Sequence, residues 1–218
     1  MLIALTSTAI AAYFLGSFPT GYLVGRARGV DLRQKGSGNI GATNALRVLG
    51  RGPGSFVLLI DALKGFLACT YLPVMLGRCG VYGPTAIDTG TLVPVVGGVF
   101  AVLGHNFTCW LRFKGGKGVA TSAGVLAGLM PLAFAIVLTV FLLGIAFTRV
   151  VSIGSLAAAA TLPLAAWFSR PDPILLVLAL LLSVLVFWRH RSNISRLRAG
   201  TEPRIGQSPA PPAGKPGS

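Results

Sequence analysis

The run Val57-Leu58-Leu59-Ile60-Asp61-Ala62-Leu63-Lys64-Gly65-Phe66-Leu67-Ala68-Cys69-Thr70-Tyr71-Leu72-Pro73-Val74-Met75-Leu76 carries a single acid, Asp61, and a single base, Lys64. At helical rise, roughly 20 mostly apolar residues cross a hydrocarbon core of about 30 Å. The run therefore reads as a membrane span. Comparable stretches lie at about 2 to 24, 54 to 77, 91 to 111, 119 to 148, 150 to 168 and 173 to 188. The composition agrees, because 53% of the 218 residues are hydrophobic and only 11% are charged, too few for a soluble surface.

The formal net charge is +14. A nucleic-acid-binding domain would not interleave its bases with such spans, so nucleic acid is excluded as a partner. Basic loops beside spans report orientation, the cytoplasmic side being the positive one. No Lys or Arg precedes the first apolar stretch, and Arg26, Arg28, Arg33 and Lys35 follow it. This excludes a cleaved signal and places the N-terminus outside.

Two polar inserts and a tail separate or follow the spans: Gly25 to Gly52, Arg112 to Gly118, and the segment from Arg189 onward. All three are basic and belong on the cytoplasmic side. That demands an even number of crossings between the second insert and the tail, although only three apolar segments lie there. Gly128 and Pro131 interrupt the long segment 119 to 148, which splits into helices near 119 to 129 and 131 to 148. The expected fold is all-α and polytopic, with about seven transmembrane helices, some short or broken. The N-terminus is outside and the C-terminus inside. A re-entrant hairpin over 119 to 148 would keep the same sidedness. Residues 1 to 205 form one transmembrane domain, and 206 to 218, rich in Pro, Gly and Ser, form a disordered tail.

The first insert contains Ser37-Gly38-Asn39-Ile40-Gly41-Ala42-Thr43-Asn44-Ala45-Leu46-Arg47. Glycines permit close backbone approach, while Ser37, Asn39, Thr43 and Asn44 supply small donors and acceptors. Asn44 is placed as the N-cap of a short helix ending near Gly50, with Pro53 opening the next span. Ordinary turn residues explain the stretch too, but Arg47 favours an oxyanion site, since a guanidinium suits bidentate phosphate binding.

In the second insert, Lys114-Gly115-Gly116-Lys117-Gly118 precedes a new apolar helix. Free helix-end N–H groups and an ammonium can converge there on a phosphate. It is not a P-loop, because Leu111 stands where the first glycine is required and Gly118 follows the lysine. Contact with anionic headgroups accounts for Arg112 and Lys114, but not for the glycines around Lys117.

After the last span, His190, Asn193 and Leu197 share one helical side, leaving the arginines of that run to headgroups. The chain has only two histidines, His105 and His190, each at the cytoplasmic end of a span beside an insert.

Carboxylates number five: Asp31, Asp61, Asp88, Asp172 and Glu202. Paired-carboxylate hydrolysis and carboxylate-caged metals are therefore poorly supplied, and no metal site is expected. Asp61 and Lys64 are expected to pair across one turn inside the membrane. Arg78, Asp88, Arg149, Arg170 and Asp172 sit at span ends, where headgroup contact suffices. Cys69, Cys79 and Cys109 have no metal spacing, and their odd number argues against a disulfide framework. No His-x4-Asp motif exists, since Trp110 and Ser195 occupy the fifth positions after the histidines.

Ser37 to Arg47, Gly104 to Thr121 and Arg189 to Glu202, together with Gly16-Ser17-Phe18-Pro19, resemble the motifs of the bacterial acylphosphate-dependent glycerol-3-phosphate acyltransferase family. Their order and spacing run through nearly the whole chain. The resemblance implies transfer of a fatty acyl group from a long-chain acyl phosphate to the 1-hydroxyl of glycerol 3-phosphate. The products are lysophosphatidate and phosphate, in the first step of membrane phospholipid synthesis. It implies a multi-pass protein of the bacterial cytoplasmic (inner) membrane, working on the cytoplasmic side among membrane lipids, without cofactor or coenzyme A.

It further implies catalytic roles for Ser37, Arg47, His190 and Asn193, phosphate binding by the loop from Lys114 to Gly118, and a structural role for Glu202. With Gly38, Asn39, Gly41, Thr43, Asn44 and His105, the loop residues Lys114, Gly115, Gly116, Lys117 and Gly118 make up the expected substrate-binding set. Thr108 departs from the family's proline, which predicts a less rigid loop. Direct attack by the substrate hydroxyl is the expected mechanism, rather than acylation of Ser37. A small anion or metabolite transporter is the competing reading, since it too would use intramembrane basic residues and broken helices. Oligomeric state is not legible.

Overall fold

The computed structural model describes residues 1–82 and 90–206, and every regular element among them is helical. Asp88 and the tail from residue 207 lie outside the described residues.

Eleven α-helices follow in order: α1 (Leu2–Ser17), α2 (Thr20–Arg26), α3 (Ala42–Leu49), α4 (Arg51–Cys69), α5 (Tyr71–Arg78), α6 (Leu92–Asn106), α7 (Val119–Leu129), α8 (Pro131–Thr148), α9 (Val151–Ser169), α10 (Pro173–Arg189) and α11 (Arg191–Arg198). Among the described residues, five segments are long and apolar enough to cross a membrane: Leu2–Arg26, Arg51–Cys69, Leu92–Leu111, Pro131–Thr148 and Val151–Ser169. Helices α10 and α11, bent by 56° at His190, form a sixth when taken together, and α7 is a shorter apolar helix.

The breaks follow the chain's chemistry. Pro19 forces Phe18 out of the helical region, to φ −54° and ψ 114°, which separates α1 from α2. Pro131 does the same to Met130, at φ −142° and ψ 68°, which divides 119 to 148 where expected. Two expectations are corrected. The span drawn from 54 to 77 ends at Cys69, and α5 is a separate helix. The span after the first insert begins at Arg51, two residues before Pro53, so proline does not open it.

Close approach between helices depends on small residues, as expected in lipid, where packing replaces the hydrophobic drive. Helix α4 lies against α7 so tightly that a Cβ on Gly65 would stand 2.1 Å from the Thr121 carbonyl oxygen. One on Gly124 would stand 1.8 Å from that of Ala62. The main apolar core gathers Val125, Leu126, Val137, Leu162, Leu178 and Leu182 from α7 to α10. Leu132, Leu142, Leu143 and Phe147 of α8 are exposed, which suits a lipid-facing helix.

Candidate active site

The three polar segments converge on one cavity of about 380 Å³. Its polar end is lined by Ser37, Asn39, Gly41, Thr43, Asn44 and Arg47 from the first insert, by His105, Lys117 and Gly118 around the second, and by His190, Asn193 and Glu202. Most of its remaining wall is apolar, with Asp61, Ser122, Ser152, Ser155 and Arg196 as exceptions. Phe141 to Phe134 on α8, Ser155 to Leu162 on α9 and Val186 to Leu182 on α10, with Leu126 of α7, line a slot. On α8 and α9 this is seven residues of travel, about 10 Å at helical rise.

The expected set is not all gathered there. Gly38, Lys114, Gly115 and Gly116 do not line the cavity, and Lys114 is exposed. The Gly115 and Gly116 N–H groups are already used, donating to the carbonyls of Asn106 and His105 at 3.1 and 3.0 Å. Gly118, at φ +79°, turns the chain into α7 beside the cavity.

Asn44 is not an N-cap. Gly41 takes that position, and the buried Asn44 amide holds the insert together from inside α3. Its Oδ1 accepts from the Ser37 N–H at 2.9 Å, and its Nδ2 donates to the carbonyls of Leu32, Lys35 and Asn39 at 3.1, 3.0 and 2.8 Å. The loop therefore presents Ser37 from a fixed frame.

At the tail, Lys117 Nζ donates to Asn193 Oδ1, and Asn193 Nδ2 donates to Glu202 Oε1. Glu202 also accepts from Ser152 Oγ and Arg196 Nε, each at 2.7 Å. Burial would raise the Glu202 carboxyl, but these bonds and the Arg196 charge outweigh it and hold it below the usual glutamate value. Burial pulls Lys117 down to about 8, with Glu202 opposing and Arg196, Arg189 and Arg47 adding to the effect. His190 Nδ1 lies 2.8 Å from the Val186 carbonyl. A carbonyl only accepts, so Nδ1 carries the proton and Nε2 is left as an acceptor.

The arginines after the last span do not all face headgroups. Arg196 lines the cavity on the face three residues beyond Asn193, a spacing that would have revealed it. Arg189 bonds to the carbonyls of Gly115 and Gly116. Nothing in a basic stop-transfer run distinguishes such an arginine.

Asp61, which itself lines the cavity, forms the expected pair with Lys64 at 2.9 Å, both buried and joined by the Thr20 hydroxyl at 3.2 Å and His105 Nδ1 at 3.6 Å from the same Asp61 Oδ1. Lys64 Nζ also donates to the Phe18 carbonyl at 3.1 Å, which ties the α1–α2 break to α4. Thr108 is likewise tied down, its hydroxyl donating to the Ser17 carbonyl at 2.5 Å. The loss of rigidity expected from the missing proline is thus offset by a buried hydrogen bond.

A polar, cationic end above an apolar slot defines a site for an anionic amphiphile, and known proteins of this shape sharpen that description. The family model for glycerol-3-phosphate acyltransferase matches residues 6–200. Glycerol-3-phosphate acyltransferases from Synechococcus sp. strain JA-3-3Ab and Geobacter sulfurreducens are 52% and 46% identical to the chain. The first alignment covers 91% of this chain and 92% of the relative, the second 94% and 99%. The crystal structure of PlsY, an integral membrane glycerol 3-phosphate acyltransferase, in its glycerol 3-phosphate form, superposes with a TM-score of 0.81 at 36% identity. The match covers 93% of this chain and 96% of that one. Its lysophosphatidic acid form superposes with a TM-score of 0.79 at 35% identity, covering 93% and 95%.

The fold and site are therefore those of a multi-pass integral membrane acyltransferase. Within that class, the chain belongs to the glycerol-3-phosphate acyltransferase family.

Proposed function

We propose that the chain transfers a fatty acyl group from a long-chain acyl phosphate to the 1-hydroxyl of glycerol 3-phosphate, releasing lysophosphatidate and phosphate. One observation carries this reading. Arg47, Lys117 and Arg196 line the polar end of a cavity whose other walls are mostly apolar, so one cavity accepts an anionic head and a hydrocarbon tail together. Two phosphorylated reactants repel each other, and fixed cations in a partly dry site offset that repulsion.

In this mechanism the glycerol 3-phosphate is held by Lys117 with the α7 N-terminus, whose first-turn N–H groups lie beside it. Arg47 and the Ser37 loop hold the acyl phosphate. The substrate hydroxyl attacks the acyl carbon, its C–O bond forms as the bond to phosphate breaks, and the proton passes to His190 Nε2 or to a phosphate oxygen. Asn193 orients Lys117, and Glu202 fixes Asn193. Gly38, Lys114, Gly115 and Gly116 support the loops instead of touching substrate. Ser37 stays unacylated.

Three observations support the arrangement of the helix ends. His105 and His190, at the ends of α6 and α10, share the cavity. At the starts of those helices the Thr91 hydroxyl donates to Asp172 Oδ2 at 3.0 Å. The Ile205 N–H meets the Arg149 carbonyl at 2.7 Å, which brings the α8–α9 turn beside the chain's end. These observations support an even number of passes from α7 to α10, hence seven membrane helices with α7 the short one. The basic inserts at the cavity end favour a cytoplasmic cavity, and with it an outer N-terminus, an inner C-terminus and an inner-membrane location. Residues 1 to 205 act as one catalytic domain.

The test incubates purified protein with palmitoyl phosphate and glycerol 3-phosphate, without added metal or coenzyme A, and follows lysophosphatidate. Stoichiometric lysophosphatidate and phosphate are expected. Folded protein that forms neither would reject the reading, and glycerol 3-phosphate uptake into proteoliposomes would then favour a transporter.

A further inference from the structure

Arg189 ends α10 in a partly buried position, and among the described residues no carboxylate forms an ion pair with it. Its fork is spent on backbone: Nε donates to the Gly116 carbonyl at 3.0 Å, while Nη2 donates to Gly116 at 2.6 Å and to Gly115 at 3.0 Å. The Phe107 and Trp188 rings, with centroids 5.4 and 5.7 Å from Cζ, steady the guanidinium.

A trans peptide points its C=O and the following N–H in opposite directions. With the Gly115 carbonyl turned to Arg189, the Gly116 N–H faces away and donates to the His105 carbonyl at 3.0 Å. The next peptide repeats the arrangement. The Gly116 carbonyl is turned to Arg189, so the Lys117 N–H faces away from it, and among the described residues no acceptor meets that N–H. The loop already packs closely on α6, since a Cβ on Gly116 would stand 2.0 Å from His105 Nε2. The Lys117 side chain lines the cavity.

We propose that Arg189 is a positioning residue, which turns the Lys117 backbone amide toward the cavity so that this N–H and Nζ bind one phosphate oxyanion together. The proposal rests on the glycerol 3-phosphate reading above. It differs from headgroup binding in what it demands of the side chain. A lipid contact needs only a positive charge, which lysine supplies, whereas holding two carbonyls needs the planar fork.

The experiment measures phosphate release from palmitoyl phosphate at varied glycerol 3-phosphate for the unmodified protein, R189K, R189A and R191A, each first checked for monodisperse elution in detergent. R191A removes an exposed arginine that stacks on Trp188 and touches no loop carbonyl. The expected result is a KM for glycerol 3-phosphate about tenfold higher in R189K and R189A, with the KM for palmitoyl phosphate and the behaviour of R191A unchanged. Added guanidinium ion should partly restore R189A and leave R189K alone. An R189K variant with an unmodified KM for glycerol 3-phosphate would overturn the proposal. So would a uniform fall in kcat with both KM values intact. R189K keeps the charge and stem, so the test stands even where R189A does not fold. Failure of the unmodified protein to make lysophosphatidate would instead reject the underlying reading, before any variant is compared.

Discussion

Lys117 and Asn193, 76 positions apart, meet at the polar end of the cavity, with Nζ donating to the amide oxygen. The same amide donates to Glu202, so Asn193 carries the alignment from a carboxylate fixed by Ser152 and Arg196 to the cation at the phosphate site. Replacing Asn193 by Leu keeps the volume, removes both bonds and leaves a partly buried ammonium without this partner. Hydrogen bonds to charged groups contribute about 1.5–3 kcal/mol each. We expect kcat/KM for glycerol 3-phosphate to fall by roughly 10- to 100-fold, measured by phosphate release. An N193L enzyme within twofold of the unmodified protein would contradict the assignment.

Lys117 should also set an alkaline limit. Its pKa is pulled down to about 8, chiefly by burial. Below that value the ammonium is present to bind phosphate, and as pH rises through it the charge is lost. The KM for glycerol 3-phosphate should therefore climb progressively above pH 8, while the KM for acyl phosphate moves less. K117R keeps its charge at every accessible pH, so whatever activity it retains should lack this rise. Initial rates at pH 7, 8 and 9 for both proteins provide the comparison.

The apolar slot predicts selectivity for the acyl chain. One leaflet is about 15 Å deep, half of a core of about 30 Å, whereas the slot runs only about 10 Å. A membrane-length tail must therefore bend or leave between helices. Ala158, on the α9 face with Ser155 and Leu162, keeps the slot open. In A158F a ring blocks it partway. The ratio of kcat/KM for decanoyl over palmitoyl phosphate should rise by about tenfold, since pocket discrimination by size is worth about 1–3 kcal/mol. An unchanged ratio would place the tail elsewhere.

Much of this arrangement is legible in the chain because it depends on local chemistry. Pro131 breaks a long apolar run wherever that run folds, and basic inserts must share a side. His105 and His190 are rare enough to stand out. The rest depends on directions set by tertiary contacts. Lys114 and Lys117 look equivalent in sequence, yet the turn through Arg112 and Phe113, both left-handed at φ 54° and 60°, leaves one exposed and turns the other inward. Non-glycine residues rarely adopt that region, so no pattern announces it. Asn44 suits an N-cap by type but serves as a buried brace, because three carbonyls of its own loop surround it. Arg196 shares a helical face with Asn193, but no spacing sets Arg189 apart from Arg191 and Arg198, because its role depends on the bend between α10 and α11 at His190.

Glu202 separates stability from catalysis. Its side chain is 8% exposed and bonded to α9 through Ser152 and to α11 through Asn193 and Arg196. Truncation to alanine leaves Arg196 without its carboxylate and costs about 2–3 kcal/mol. For a chain of this size that lowers Tm by roughly 5–10 °C. Because the folded carboxyl titrates below the ordinary glutamate value of about 4.3, its contribution is present in full at neutral pH and fades as pH falls through the folded value. The Tm gap between unmodified protein and E202A should consequently be wide and flat from pH 7 down to about pH 5, and narrow only as pH falls below the ordinary glutamate value of about 4.3 toward the folded one. A gap that stays constant down to about pH 3 would show that the carboxylate charge does not hold the clasp together.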